Sequence, residues 1–287
     1  MLQNNTSLIT VTYNSINVIK VFLSQKKLNL YSKIIVIDNN SSDDTVDFIE
    51  KKYPNILCIK NNKNIGYGNA VNHACGFVET EYVVITNPDT IFSDTFYDDL
   101  TNGINRYPDF SILSPSFFNF SSIDKFNGKF FSNNQILNRP KVDTKSILPG
   151  PCFLAKLSFF KRKKIWDSDI FLYFEDHDLV RRLNNKKNPI ITLHDCYIFN
   201  VEGGSSEDSF KLLRLKNWHY GWSFFYFKKK YRESGKFYFL IINFKRVIIS
   251  LITMNKKRFF ISFYRLKGFI AFYRGLKAMD VRDIGPF

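Results

Sequence analysis

The sequence predicts an α/β fold: a mostly parallel sheet flanked by helices, followed by a basic, aromatic, helical C-terminal segment. Three observations carry this. Short runs rich in Ile and Val recur through residues 7–116, each followed by a stretch of helical character. These runs are continuously apolar rather than alternating, as in strands that helices cover on both faces. The charge is also lopsided: residues 208–287 hold 18 Lys/Arg against 4 Asp/Glu, and so carry +14 of the net +15.

Taken in order, Ser7–Thr12 reads as a strand and Asn17–Lys26 as a helix. Lys33–Asp38 is the second strand, and Asp43–Tyr53 a helix capped by Ser41 or Ser42. Ile56–Lys60, Tyr82–Thr86 and Phe110–Ser114 are further strands, interleaved with helices Gly68–Phe77 and Asp94–Arg106. Strand–helix alternation at this spacing gives parallel strands joined by right-handed crossovers. Residues 117–146, rich in Asn, Ser and Phe with little periodicity, read as a long loop. Then come a Pro-Gly-Pro turn, a short strand Cys152–Ala155, a basic helix Leu157–Lys164 and an aromatic strand at Phe171–Phe174. The cluster Glu175-Asp176-His177-Asp178 opens a helix through Leu179–Asn184. Two regions result: residues 1–207 as the catalytic-type domain, and 208–287 as a basic amphipathic helical region.

At 287 residues with 45% hydrophobic content, the chain can bury a large core. The four cysteines are scattered and form no CxxC pair, which argues against a zinc site or a disulfide scaffold. The N-terminus has no basic n-region, so no signal peptide is expected and the cytoplasm is the simplest compartment. The longest apolar runs of the tail, Phe237–Phe244 and Val247–Met254, are split by Lys245-Arg246. A span needs about 20 apolar residues. The basic and aromatic tail instead suits helices lying on an anionic membrane surface, peripheral on the inner face of the cytoplasmic membrane. A helical subdomain with a solvated basic face is the alternative.

Ligands of parallel sheets sit beyond the carboxyl ends of the strands. Here those ends are polar: Thr12-Tyr13-Asn14, Asp38-Asn39-Asn40, Lys60-Asn61-Asn62 and Asn87-Pro88-Asp89. Asp38 can accept hydrogen bonds from a nucleobase or ribose, or can simply close an Asx turn. Asp89, presented by a rigid turn, can share a divalent cation with a diphosphate, because Mg²⁺ takes only one or two protein carboxylates. Asn-Pro is equally an ordinary turn initiator. The acidic cluster at 175–178 either matches the dipole of a helix start or supplies a general base. Gly66-Tyr67-Gly68 is no dinucleotide fingerprint, since the third glycine position falls on Val71. The four histidines, His73, His177, His194 and His219, lack metal-ligand spacing and read as polar surface or helix residues.

The ordered set VTYN (11–14), VIDNNSSDDT (36–45), NIGYGNAVN (64–72), TNPDT (86–90), PGPCFLAKLSFF (149–160) and FLYFEDHDLVRRL (171–183) resembles the family 2 inverting glycosyltransferases. The nearest branch is the bacterial rhamnosyltransferase-like one of surface polysaccharide and O-antigen assembly, and the likeness covers about residues 7–225. It implies a GT-A fold, a nucleoside-diphosphate-sugar donor, a saccharide acceptor that is lipid-linked, and a divalent metal, Mg²⁺ or Mn²⁺. Donor binding would fall to Asp38, with Thr12, Tyr13 and Asn14 and the loop of Asn64, Gly66 and Asn69 beside it. Asn87 and Asp89 would form a variant of the DXD metal motif. Asp176 would be the base, with Glu175 and Asp178 orienting it or the acceptor. Where relatives often carry a metal-binding histidine before a Gly/Ser stretch, this chain has Asn200, an amide that binds transition metals more weakly than imidazole. The alternative, a non-catalytic membrane- or nucleic-acid-binding protein, leaves the acidic cluster without a task; no nucleic acid is expected as a partner.

Overall fold

The computed structural model describes residues 5–120, 151–185, 189–201 and 210–281. The chain divides into two compact units. The first comprises Met1–Asn64, Ala70–Ile165 and Leu179–Ser206; the second, Ile65–Asn69, Trp166–Asp178 and Glu207–Phe287.

Strands β1 (Thr6–Thr12), β2 (Lys33–Asp38), β3 (Leu57–Lys60) and β4 (Tyr82–Thr86) alternate with helices α1 (Ile16–Leu23), α2 (Thr45–Lys52) and α3 (Tyr67–Cys75). There follow β5 (Thr90–Phe92), α4 (Phe96–Arg106), β6 (Ile112–Phe120), β7 (Cys152–Lys156), α5 (Glu175–Asn185) and β8 (Ile190–Val201). Among the described residues these strands form one eight-stranded sheet, ordered β3-β2-β1-β4-β7-β6-β8-β5. The pairs β3-β2, β2-β1, β1-β4 and β6-β8 are parallel; β7 enters antiparallel to both neighbours, and β5 antiparallel to β8. The expected α/β sheet flanked by helices is therefore present. Every residue of β1 is buried, so its apolar run is legible as a central strand.

Several elements differ from the sequence reading, each for a local reason. Residues 157–164 are two 3₁₀ turns, Leu157–Phe159 and Lys161–Lys163, rather than a helix. The buried pair Leu157 and Phe160 is spaced i, i+3, the repeat of a 3₁₀ turn. Helix α2 starts at Thr45 with Asp44 before it, so neither Ser41 nor Ser42 caps it. The strand expected to stop at Ser114 runs on to Phe120, because Pro115 falls at a register shift in its pairing with β8. There the partner jumps from Leu193 to Tyr197, and that bulge breaks the apolar pattern of β8 and hid it from the sequence reading. Residues 121–150 and 202–209, with most of the expected long loop and the 207/208 boundary, lie outside the described residues.

In the second unit, α6 (Phe210–Lys230) and α8 (Lys256–Tyr273) contribute to an aromatic core of Phe171, Trp218, Trp222 and Tyr264, and Phe239 of α7 (Lys236–Ile252) stacks on Phe224. Helices α6 and α8 touch through glycines. A Cβ on Gly221 would lie 2.1 Å from the Arg265 carbonyl oxygen, and one on Gly268 would lie 2.1 Å from that of Trp218. Any larger residue at either position forces the helices apart. His219 is fully buried in this core, stacked on Phe171 with Nε2 2.8 Å from the Val281 carbonyl oxygen. It is a helix residue, one of the two places expected for the histidines, but it faces the core rather than the surface. Burial lowers its pKa to about 4, so it is neutral.

Candidate active site

The carboxyl ends of β1 and β2 are locked together by their own polar residues. Thr12 and Asp38 are register partners, and Thr12 Oγ1 donates to Asp38 Oδ1 at 2.8 Å. The Ser41 backbone N–H donates to Asp38 Oδ2 at 2.7 Å and its hydroxyl to Oδ1 at 2.5 Å. Asp38 thus closes the turn that follows β2, with its carboxylate 2% exposed at the residue level. Asn14 is stitched to the same turn: its N–H donates to Ser41 Oγ at 2.8 Å, and its Oδ1 accepts from the Ser42 N–H at 2.7 Å. Asn14 and Asn40 have φ of 50° and 70°, a left-handed conformation that Asn tolerates better than most residues. Tyr13 remains 45% exposed between these fixed points. A second tier, unforeseen in the sequence, joins β3: Asn61 Nδ2 donates to Asn39 Oδ1 at 2.9 Å, while Asn61 Oδ1 lies 3.0 Å from His73 Nδ1.

Asn87 and Asp89 flank the turn between β4 and β5. The Asn87 N–H donates to the Pro151 carbonyl at 2.8 Å, and Thr90 N–H reaches back to the Asn87 carbonyl at 3.3 Å. Asp89 is buried, and the next residue, Thr90, is the register partner of Asn200 across β5 and β8. The structure therefore brings Asp89 and Asn200 to neighbouring positions of one strand pair. The side-chain Oδ1 of Asn200 is buried and accepts no hydrogen bond, a costly state for an amide oxygen. A carboxylate and an orphaned amide oxygen are hard donors of the kind Mg²⁺ or Mn²⁺ takes. Among the described residues no group of three or more His, Cys, Asp or Glu could hold a metal ion, so a cation here would share its other positions with phosphate and water. Burial pushes the Cys58 thiol up to about 11 and the Cys152 thiol to about 12.

The loop 64–69 leads into α3, and its glycine has a steric reason. Gly66 has φ +79°, and a Cβ there would lie 2.4 Å from the Phe171 carbonyl oxygen. Asn69 Nδ2 donates to the Ser168 carbonyl at 3.1 Å. Gly66 and Asn69 thus pack on the segment that precedes the acidic cluster, while Asn64 is half-buried at the loop's start.

That segment is not the expected strand. Tyr173 and Phe174 have φ of 65° and 67°, two consecutive bulky residues in the left-handed region. Each such residue costs on the order of 1–3 kcal/mol and persists only where packing dictates it. Here the rings do so: Tyr173 packs edge-on to Tyr220, and Phe174 against Tyr220, Phe224 and Phe227. The kink delivers Glu175, Asp176 and Asp178 into the first turn of α5. Glu175 and Asp176 are half-buried, and burial is the main cause of their raised pKa values. Glu175 rises to about 8, helped by the neighbouring Asp176 charge, and Asp176 rises to about 6. At neutral pH the pair therefore holds one ionised carboxylate, Asp176, beside one neutral acid. Glu175 Oε2 is buried without a hydrogen-bond partner.

Asp178 differs from its neighbours. It is fully buried and accepts from Lys230 Nζ at 2.5 Å and from the Tyr231 hydroxyl at 2.8 Å. Lys230 also contacts Asp167 Oδ2 at 2.5 Å, and Lys228 pairs with Glu233 at 2.8 Å. Lys228 and Lys230, in the basic tail expected to lie on a membrane surface, are thus ion-pair partners inside the second unit. Nothing in a Lys-Lys-Lys run distinguishes the lysines with acidic partners from the one beside them.

The model of the family described as Glycosyl transferase family 2 matches residues 7–186. The chain belongs to this family. Over 211 residues this family 2 transferase is 26% identical to the N-acetylglucosaminyl-diphospho-decaprenol L-rhamnosyltransferase of Mycobacterium tuberculosis, a match covering 61% of this chain and 69% of that protein. Its fold is that of GT-A glycosyltransferases. It is similar to the mannosyltransferase PcManGT from Pyrobaculum calidifontis in complex with GDP-Man and Mn²⁺, with TM-score 0.57 at 15% identity over 94% of this chain and 87% of the other. GalNAc-T7 with UDP, GalNAc and Mn²⁺ gives TM-score 0.55 at 10% identity, over 71% of this chain and 45% of the other.

Proposed function

We propose that this transferase moves a hexose, with rhamnose the first candidate, from a nucleoside-diphosphate donor to a lipid-linked saccharide with inversion, in surface polysaccharide or O-antigen assembly. The observation that carries the reading is the Glu175–Asp176 pair: a half-buried carboxylate poised at about 6 beside an acid that is neutral at pH 7. A general base works best with its pKa near the operating pH, and Asp176 meets that condition. Asp176 takes the proton of the attacking acceptor hydroxyl as it displaces the diphosphate from the opposite face of the sugar, and that single displacement inverts the anomeric centre. Neutral Glu175 donates a hydrogen bond to the acceptor and so orients it. Asp178, held by Lys230 and Tyr231, fixes the helical turn that carries both.

On the donor side, Asp38, Thr12 and Asn14 hold a rigid rim, and exposed Tyr13 offers a ring on which a nucleobase stacks. Asn64, Gly66, Asn69 and Asn87 are assigned to donor binding as well. Asp89 and Asn200 would hold the divalent cation, which when bound neutralises charge on the leaving diphosphate. The relative's printed name, a rhamnosyltransferase acting on a diphospho-decaprenol-linked N-acetylglucosamine, supports a lipid-linked acceptor. Such an acceptor places the enzyme on the inner face of the cytoplasmic membrane, held peripherally by residues 208–287. Among the described residues no helix is long and apolar enough to cross a membrane. The test is a panel of nucleoside-diphosphate hexoses against a short diphosphate-linked N-acetylglucosaminyl lipid, read by released nucleotide and by the anomeric configuration of the product. Transfer with inversion is expected; retention, or nucleotide release without transfer, contradicts the reading.

A further inference from the structure

We propose that the outward face of α7, together with the α7–α8 turn, is a docking surface for an anionic lipid bilayer. This specifies the membrane attachment proposed above. Helix α7 is amphipathic in the reverse sense for a water-soluble surface. Its buried side includes Asn243 and Ser250 beside Phe239; Asn243 Nδ2 donates to the Phe239 carbonyl at 2.8 Å, while its Oδ1 is buried without a hydrogen-bond partner. Its outward side carries Phe237, Ile241, Phe244, Ile248 and Ile252, exposed by 76%, 50%, 62%, 47% and 76%. Spacings of four and three residues place all five along one stripe of a 3.6-residue helix, on the face opposite Phe239. The 17 residues of α7 make that stripe about 25 Å long. Met254, at the turn, is 88% exposed and extends it. Contiguous exposed apolar surface of this kind marks an interaction site.

Charge identifies the occupant. Residues 234–279 contain ten Lys/Arg and no Asp or Glu. Lys245 is exposed beside the stripe, and Lys256, Lys257 and Arg258 are exposed past the turn. The latter three occupy the first turn of α8, where cations oppose the helix dipole and no acid offsets them. An anionic surface relieves that conflict. A second copy of this chain would bring two such cationic faces together, and nucleic acid would leave the apolar stripe facing phosphates. Basic residues flanking an aromatic and aliphatic stripe, on a helix too short and too interrupted to span, are the composition of an interfacial helix.

The experiment is flotation of the full chain with vesicles of phosphatidylglycerol and phosphatidylethanolamine, and with neutral phosphatidylcholine vesicles, at low and high salt. Two variants accompany the wild type: Ile241→Ser/Phe244→Ser/Ile248→Ser, and Lys245→Gln/Lys256→Gln/Lys257→Gln. Each should bind anionic vesicles roughly tenfold or more weakly than wild type, given about 1 kcal/mol per basic residue near anionic lipid. Sugar transfer to a soluble acceptor should be unchanged in both, so loss of docking is read separately from loss of catalysis. The charge variant alters only exposed side chains and keeps the test open if the apolar variant fails to fold. Equal binding of wild type to neutral and anionic vesicles, or wild-type affinity in both variants, overturns the proposal. So does a wild-type dimer in light scattering that the apolar variant converts to monomer while vesicle binding persists.

Discussion

Lys230 Nζ lies 2.5 Å from Asp178 Oδ1 and so pins the last turn of α6 to the first turn of α5. Asp178 is fully buried, whereas the Lys230 side chain keeps 30% of its exposure. Burial works against the ammonium, yet Asp167 and Asp178 raise its pKa above the ordinary lysine value. The pair is therefore a fixture of the second unit rather than a solvated contact.

Lys230→Met removes the ammonium that faces the fully buried Asp178. Discounted for the lysine's partial exposure, the loss should be about 1–3 kcal/mol by urea unfolding. Adding Asp178→Asn should recover part of it, because the buried carboxylate charge is then gone. If the pair also positions Asp176, the single variant lowers kcat while KM for the donor stays near wild type. An unchanged kcat in the folded variant would make the pair purely structural.

Chelation and substitution test the cation assignment. EDTA should abolish transfer, and added Mg²⁺ or Mn²⁺ should restore it. Asp89→Ala should weaken donor binding more with metal present than without, measured by calorimetry. Asn200→His exchanges an amide oxygen for imidazole and should shift the metal preference toward Mn²⁺ over Mg²⁺. Full activity in chelator would remove Asp89 and Asn200 from this role.

The acidic pair sets both a rate profile and a stability profile. Asp176 must be ionised to act as base, so kcat should rise with pH and level off above an apparent pKa near 6. Glu175 has a folded pKa of about 8 against an ordinary 4.5, so the folded state holds its proton more tightly than the unfolded chain. That favourable contribution is complete below about 4.5 and is lost as pH rises toward 8. Glu175→Gln should therefore raise Tm at pH 8, by roughly a few degrees, and change it little at pH 4. A Tm gain equal at both pH values would contradict the burial of an acid at 175.

The parallel half of the sheet was legible because β1, β2 and β4 are buried apolar runs, each ending in a polar turn. Of the antiparallel half, β7 and the start of β6 were also legible as strands, but β5 and β8 were not. β5 is three residues long, and β8 is interrupted by His194 and Asp195 where the bulge opposite Pro115 absorbs them. At the site, residue types marked Asp38, Asp89 and the 175–178 cluster, since carboxylates at strand and helix ends stand out in any sequence. What the sequence could not show was partnership across distance. Lys230 reaches Asp178 from 52 residues away, and Asn200 meets the β5 turn only through the register of two strands that were invisible as strands. The strained Tyr173-Phe174 kink was equally hidden, because packing from α6 imposes it against the residues' own preference.

The most direct test of the central claim is Asp176→Asn, assayed for single-turnover sugar transfer and for donor affinity in the same preparation. The substitution preserves shape and removes the proton acceptor. Turnover should fall by roughly two to four orders of magnitude, the scale of general-base loss, with donor Kd within about twofold of wild type. Near-wild-type turnover in the folded variant would contradict Asp176 as the base.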